Sequence, residues 1–403
     1  MRNLVLAVSV LAAVAAGQSW SSQTSGTNDN LDGVWFVENI RGWAVGDAGT
    51  SLRTTNGGQT WTSFFLTNQD LEDVAFHGGN SAVGLIVGDD GRIFRTTDGG
   101  ANWSQVSSGT ASNLRAVAFS AGSAAYVAGR DGVILRSTDL GASWSVVETG
   151  SVRWEGIWAF GENLAWVVGR EGNIKATANA GASWGAQSSS TGSDLHGVFF
   201  IDGQNGWAVG QNDVALKTTN GGASWALANA GINVSLDGVH FESAGEGWVV
   251  GSLGRIWRST NGGANWVQEA SPVSSELNDV FFTDPNHGWA VGASGRIVTR
   301  IAAGIEEQPA GSPSGSIEAR PNPMTSNGTI SYSVPAPGRV EVRVIDGTGR
   351  LVRTLASGTA EAGRHSLSWD RSDAAGRPVA SGVYFYEIAA GAVARLAVVV
   401  VDR

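Results

Sequence analysis

Hydrophobic and polar positions recur along the chain in a fixed order. A short segment, LDGVWF at 31–36, returns as LEDVAF, LRAVAF, WEGIWAF, LHGVFF, LDGVHF and LNDVFF. An apolar run closed by glycine follows each copy: GWAVG at 42–46 returns as GLIVG, AYVAG, AWVVG, GWAVG, GWVVG and GWAVG. A third segment comes next, as in GRIFRTT at 91–97, then a polar turn, then a segment starting at tryptophan. Short alternating or apolar runs bounded by Gly, Asn, Asp and Ser predict strands, here four to each repeat. The tryptophans fall at 61, 103, 144, 184, 225 and 266, so the spacings are 42, 41, 40, 41 and 41 residues. Units that small cannot bury their own faces, and four strands per period of this length predict the blades of a β-propeller.

The first two segments occur seven times, the complete turn six times. The seventh copy, LNDVFFTDPNHGWAVGASGRIVTR at 277–300, lacks an outer strand. Forty-one residues before Trp61 stands Trp20, in GQSWSSQTSG, a segment that resembles GASWGAQSSS at 181–190. The expectation is an all-β, seven-bladed propeller over 18–303. Its N-terminal strand closes the last blade, with residues 18–22 beside 297–300, and so removes an exposed sheet edge.

The repeated turn, TTNGGQTW at 54–61, has a mechanical reading. The side chains of Asn56, Asp98, Asp139, Asn179, Asn220 and Asn261 can accept backbone N–H bonds and fix the turn. Glycine at 58, 100, 141, 181, 222 and 263 permits φ > 0. Trp61, Trp103, Trp144, Trp184, Trp225 and Trp266 then pack between sheets, each burying roughly 150–250 Å². A feature that every copy needs equally is expected to be a joint.

These turns resemble the Asp-boxes of bacterial neuraminidase-type propellers. With the flanking GWAVGxxGxIxRTTNGGxxW pattern, the chain resembles the Ycf48/Hcf136-like family of seven-bladed propellers. That resemblance implies Asp-boxes at the blade periphery and a binding role of the photosystem II assembly-factor kind, with an arginine-rich patch. Arg53, Arg95, Arg136, Lys217 and Arg258 precede five of the turns. They are candidates for such a patch, or stems packed on local tryptophans with their heads in water.

Sialidases share the turn, but their chemistry resembles a tyrosine–glutamate pair with three arginines, and they carry an Arg-Ile-Pro signature absent here. The one propeller tyrosine, Tyr126, stands where other copies have a core tryptophan. Asp32, Asp73, Asp237 and Asp279 on first strands leave a glycosidase carboxylate pair as an alternative. His77, His196, His240, His287 and His365 show no metal-ligand spacing, so neither metal nor cofactor is expected. At the fifth position of the first strand stand Trp35, Ala75, Ala118, Trp158, Phe199, His240 and Phe281. The framework does not dictate that position. Trp35, Trp158, Phe199, His240 and Phe281 are therefore candidates for stacking on a sugar or a peptide, or for packing between unequal blades.

Past residue 303 the composition changes. Residues 304–315 are rich in Gly, Pro and Ser and read as a linker. From 316 to 403, six or seven alternating segments separated by turns predict a β-sandwich. DGTGRLVRTL, GRHSLSWD and GRPVASGVYFYEI there resemble the FlgD-like immunoglobulin-type domain. In many secreted bacterial proteins this domain is a type IX secretion sorting domain. The resemblance implies engagement of that machinery and delivery to the cell surface.

The remaining totals fit export. Arg2 and the apolar run LVLAVSVLAAVAA read as a signal peptide over 1–17, and no other segment approaches membrane-spanning length. There is no cysteine, so no disulfide. Residues 1–313 carry 28 acids and 16 bases (−12) and residues 314–403 carry 8 and 10 (+2), for a total of −10. An acidic main body argues against nucleic-acid binding. The expected protein is a monomeric, non-enzymatic platform for a protein or glycan ligand at the cell envelope. A hydrolase and a Ycf48-like assembly factor are the alternatives.

Overall fold

The computed structural model describes residues 19–78, 80–229, 232–301, 318–320, 327–334, 338–346, 350–361, 363–390 and 392–400. The predicted signal peptide and linker lie outside them. The chain divides into two compact units, with the boundary between residues 305 and 306.

Among the described residues, the first unit holds seven four-stranded sheets, all of whose strand pairs are antiparallel. We number them in chain order: sheets 1 to 6 span 31–63, 71–106, 114–148, 154–188, 195–227 and 236–269. Sheet 7 joins Leu277–Asp284, His287–Gly292 and Arg296–Ile301 to Ser19–Gln23 from the start of the chain. The register there is Ser19 with Ile301 through Gln23 with Ile297, one residue on from the sequence expectation. The first strand of each sheet touches that of the next, and that of sheet 7 touches that of sheet 1.

One stack of side chains joins each sheet to its neighbour. At five of the seven joints the second-strand tryptophan of one sheet lies flat on a first-strand phenylalanine of the next. Trp166 meets Phe200 at 3.5 Å and 8°, Trp207 meets Phe241 at 3.5 Å and 7°, and Trp289 meets Phe36 at 3.6 Å and 10°. The Asp-box tryptophan then meets the same phenylalanine edge-on, as Trp225 does Phe200 at 5.7 Å. Glycine beside the second-strand tryptophan is what lets the ring lie down. A Cβ on Gly206 would sit 2.4 Å from the Phe200 ring.

The turns complete the joint. The Asp-box Asx oxygen accepts from the N–H four residues on in all six copies, at 2.9–3.0 Å. The conserved-position glycines have φ between +74° and +89°. Trp166, Trp207 and Trp289 donate to the carbonyls of Gly221, Gly262 and Gly57 in the next sheet's turn, at 3.0, 3.1 and 3.0 Å. Gln187 accepts from Trp225 at 3.2 Å and donates to the Gly221 carbonyl at 3.1 Å. Gln23 does the same for Trp61 and Gly57, both at 3.1 Å. The likeness of GQSWSSQTSG to GASWGAQSSS thus reflects one joint made twice.

Sheet 7 has no Asp-box. Arg300 occupies the strand position that Ser259 holds in sheet 6, and it is fully buried. Its guanidinium lies 4.9 Å from the Trp248 ring, donates to the Pro285 carbonyl at 2.5 Å and meets Glu269 at 3.5 Å. Glu269 also accepts from Trp20 of the N-terminal strand at 2.8 Å.

The second unit has a three-stranded sheet (Glu318–Arg320, Gly328–Val334, Gly363–Trp369) and a four-stranded one (Leu351–Ala360, Gly338–Asp346, Gly382–Ala390, Ala392–Val400). Ile330, Tyr332 and Trp369 from the first share a core with Val340, Val342, Val344 and Tyr386 from the second.

Two glycine substitutions test the stack. Gly206→Ala is expected to lose about 1–3 kcal/mol in denaturant unfolding, because the Phe200 ring must move. Gly185→Ala is expected to be close to neutral, since its Cβ meets nothing nearer than the Ala176 carbonyl at 4.0 Å.

Candidate binding site in the central channel

The seven first strands surround a central cavity of about 150 Å³. Each of them slips register between its first and third residues, at Leu31/Gly33, Leu71/Asp73, Leu114/Ala116, Trp154/Gly156, Leu195/Gly197, Leu236/Gly238 and Leu277/Asp279. A bulge leaves one residue out of the ladder and re-aims its side chain. The residue so released is polar in every strand: Asp32, Glu72, Arg115, Glu155, His196, Asp237 and Asn278, all lining the cavity. Sequence reading picked out some of these carboxylates but not the ring they form. The available signal was an unfailingly polar position inside an otherwise apolar strand.

Charge divides this end of the channel into sectors. Glu155 of sheet 4 meets Arg115 at 3.4 Å, Arg153 at 2.7 Å and Arg170 at 3.3 Å. Arg115 also pairs with Glu72. Burial, together with the neighbouring guanidiniums of Arg115, Arg170 and Arg130, lowers the pKa of Arg153. Arg130 and Arg170 are exposed. Asp32 and Glu72 stand in the adjoining, acidic sector. Burial first, and then Asp47, lift Asp32 to about 7, while burial and neighbouring acids lift Glu72 to about 7 against the pull of Arg115. Asp237 accepts from His196 Nδ1 at 2.7 Å. Burial opposes the charged imidazole, but this bond prevails and raises His196.

Asp73 and Asp279 do a different job. One oxygen of Asp279 accepts from its neighbour Val280 at 2.7 Å and the other from Val34 of sheet 1 at 2.9 Å. Asp73 accepts from Val74 at 2.7 Å and from Val117 of sheet 3 at 2.8 Å. Burial raises both, Asp279 to about 6, and the charge of Asp279 adds to burial in raising Asp73.

The five aromatic candidates come together at the other end. Trp158, Phe199, His240, Phe281 and Trp35 follow one another around the channel with ring centroids 4.4, 4.8, 5.2 and 4.5 Å apart. Trp158 is fixed by donating to the Phe200 carbonyl at 2.9 Å, and His240 by Glu242 at 3.0 Å. Ala75 and Ala118 fill the remaining two places. The five basic candidates do not come together. Each lies on the third strand of its own sheet, opposite that sheet's second-strand residue. Arg53, Lys217 and Arg258 sit 5.8, 5.5 and 5.6 Å from the rings of Trp43, Trp207 and Trp248. Arg95 donates to the Leu140 carbonyl of the next sheet's turn at 2.8 Å, and Arg136 pairs across the strands with Tyr126. His77 Nε2 donates to the Gly122 carbonyl at 2.8 Å, and no cluster suited to a metal occurs among the described residues.

Residues 64–196 and 189–270 match the profile of the photosynthesis system II assembly factor YCF48 family, which together is about half of the sequence. The chain belongs to that family. Residues 322–392 match the FlgD Ig-like domain. Among solved structures, YCF48 bound to a D1 peptide is similar with a TM-score of 0.62 and 22% identity, over 72% of this chain and 99% of that one. YCF48 from Cyanidioschyzon merolae gives 0.60 and 19%, over 70% and 99%. The GH74 enzyme of Niastella koreensis gives 0.52 and 18%, over 68% of this chain and 43% of the enzyme. At such identities the likeness is one of fold. No curated protein matches the chain.

The raised carboxyls set a pH dependence. Asp32, Glu72 and Asp279 hold protons up to about 7, 7 and 6 in the folded chain, whereas unfolded carboxyls release them near 4. Between those values the folded state binds more protons, so its stability falls as pH rises, by at most about 1.4 kcal/mol per pH unit for each group. The melting temperature is expected to be lower at pH 8 than at pH 5. The double variant Asp32→Asn, Glu72→Gln should narrow that gap in differential scanning calorimetry.

Proposed function

We propose that the protein is an exported, non-enzymatic binding platform. Its first unit is a closed seven-bladed propeller that receives a polypeptide segment at the polar end of the channel. Its second unit is an Ig-like sandwich that serves as a type IX sorting domain and brings the propeller to the cell surface. Closure is supported by the contact of sheet 7 with sheet 1 and by the pairing of Ser19–Gln23 in sheet 7. Export is supported by the signal-like residues 1–17, and sorting by the FlgD Ig-like match.

The observation that carries the binding reading is the arginine sector. Arg115, Arg153 and Arg170 converge on the single carboxylate of Glu155, and exposed Arg130 adds to them. Arg115 is shared with Glu72 and Arg170 with Asp194 at 3.8 Å, so four guanidiniums meet three carboxylates, and with Arg130 and Arg170 exposed the sector attracts a further anionic group. A cavity of 150 Å³ is small against the 300–1,000 Å³ usual for a ligand pocket. That favours a chain laid across the mouth over a glycan threaded through the ring. A family member bound to D1 peptide supports a polypeptide as the ligand class. A hydrolase is disfavoured because both oxygens of Asp73 and of Asp279 are engaged by peptide N–H groups. We do not carry over the photosystem partner, because a surface-sorting tail serves another location.

Capture of envelope polypeptides on the immobilised full chain tests this. The double variant Arg130→Glu, Arg170→Glu is expected to weaken capture at least about tenfold, a loss of about 1.4 kcal/mol. Arg53→Glu, on the third strand of sheet 1, should leave it unchanged. Equal capture by all three proteins would sink the proposal.

A further inference from the structure

The aromatic end of the channel offers a chemistry that the arginine sector does not. On the first strands, the third and fifth residues share a face and lie about 7 Å apart. Asp279 therefore stands one step above Phe281 on the same strand, and Asp73 stands over Ala75, beside the arc that ends at Trp35. We propose that the central cavity binds an alkylammonium group, seated between the aromatic arc and the carboxyls of Asp73 and Asp279.

Three observations converge on this. First, aromatic rings attract a cation through their quadrupole, and rings grouped around a small space are how proteins hold ammonium groups. Here Trp158, Phe199, Phe281 and Trp35 are held in an arc by mutual contacts of 4.4–5.2 Å through His240. Second, a cavity of 150 Å³ is of the size that admits one small organic molecule and no more. Third, carboxyls outnumber basic groups around the cavity. Arg115 is shared by Glu72 and Glu155, and His196 is taken by Asp237. Asp32 is bonded to the Asn278 amide at 3.0 Å, and Asp73 and Asp279 to peptide N–H groups, so these three carboxyls have neutral partners.

The inference goes beyond the platform reading and stands on the cavity alone. The ammonium group can come from a free small cation or from a lysine side chain of a polypeptide. Binding must also be linked to pH. The groups facing the site are Asp32, Glu72, Asp73, Glu155, Asp237 and Asp279 with Arg115, His196 and His240, the last bonded to Glu242, and burial holds several of the acids protonated near neutrality. A bound cation favours their ionised form, so affinity must rise between pH 5.5 and pH 8 (values chosen to bracket the titrations at about 6 and 7).

The experiment is titration calorimetry and tryptophan fluorescence on the full chain with choline, n-butylammonium, acetyl-Gly-Lys-Gly-amide and 3,3-dimethylbutanol, the neutral isostere of choline. The cations are expected to bind with Kd of about 1 mM, with the isostere at least about tenfold weaker. Asp279→Asn and Trp35→Leu should each weaken the cations about three- to tenfold while thermal unfolding stays cooperative. A peptide that binds more tightly than butylammonium identifies a lysine side chain as the source; equal binding identifies a free cation. Equal affinity for choline and its isostere, no binding of any cation, or full binding by both variants overturns the site. Failure here leaves capture through Arg130 and Arg170 unaffected, so the two readings fall separately.

Discussion

The first unit depends on a flat contact between two rings. A tryptophan on the second strand of one sheet must lie on a phenylalanine of the next, at about the thickness of an aromatic ring, 3.5–4.0 Å. This sets how near adjacent sheets come and how they are turned. It also goes with the glycine that precedes Trp43, Trp207, Trp248 and Trp289 and with the turn carbonyls that receive the indole N–H of Trp166, Trp207 and Trp289. Five of the seven joints use the Trp–Phe form. Tyr126 and Leu85 replace the tryptophan in sheets 3 and 2, where small residues and leucine fill the gap. The contact between sheets 7 and 1 uses the full form, in Trp289 on Phe36. The junction that joins the ends of the series is thus as well built as any other.

With the joints placed on second strands and turns, the first strands are free to vary where they face the channel. A bulge at the same place in all seven turns the second residue toward the channel as well, adding a polar ring to the residues that regular pleating places there. The second residues make a polar ring with a basic sector; the fifth residues make an aromatic arc. Stability comes from the repeated positions, and chemical individuality from the unrepeated ones.

This division explains how much could be read from sequence. Period, sheet number, the borrowed strand and the turn bonds all follow from repetition, and repetition is visible in letters. Trp20 could be placed 41 residues before Trp61 because the joint it serves recurs. The aromatic candidates were legible for the converse reason, as changes at a fixed offset. The arginine sector was not, because only Arg130 and Arg170 share an offset, each after its second-strand glycine, and they meet Arg115 and Arg153 through register and turn geometry. The bulge was hidden as well, since it is a property of backbone pairing. Arg53, Arg95, Arg136, Lys217 and Arg258 looked like a ring because they repeat. In the structure, repetition is the mark of a joint, and most of these side chains lie over the tryptophans or turns that join the sheets.

The third position of the first strands shows how the channel's chemistry and its packing bear on each other. Most copies have glycine or alanine there because neighbouring backbones crowd the site. A Cβ on Gly197 would lie 2.7 Å from the Asp237 carbonyl, and one on Gly156 2.5 Å from the His196 carbonyl. Two sheets carry aspartate instead, and each has glycine on the sheet before it: Gly33 beside Asp73, and Gly238 beside Asp279. The room each carboxyl needs is made by its neighbour, and the crowded N–H groups beyond become its partners. Such a carboxyl ties two sheets together, yet its burial raises the free energy of its ionised form. Alanine or glycine would serve packing without that penalty, as the other five sheets demonstrate. A group that the framework accommodates at such cost, facing a cavity lined with aromatic rings, is where a ligand of opposite charge would gain most.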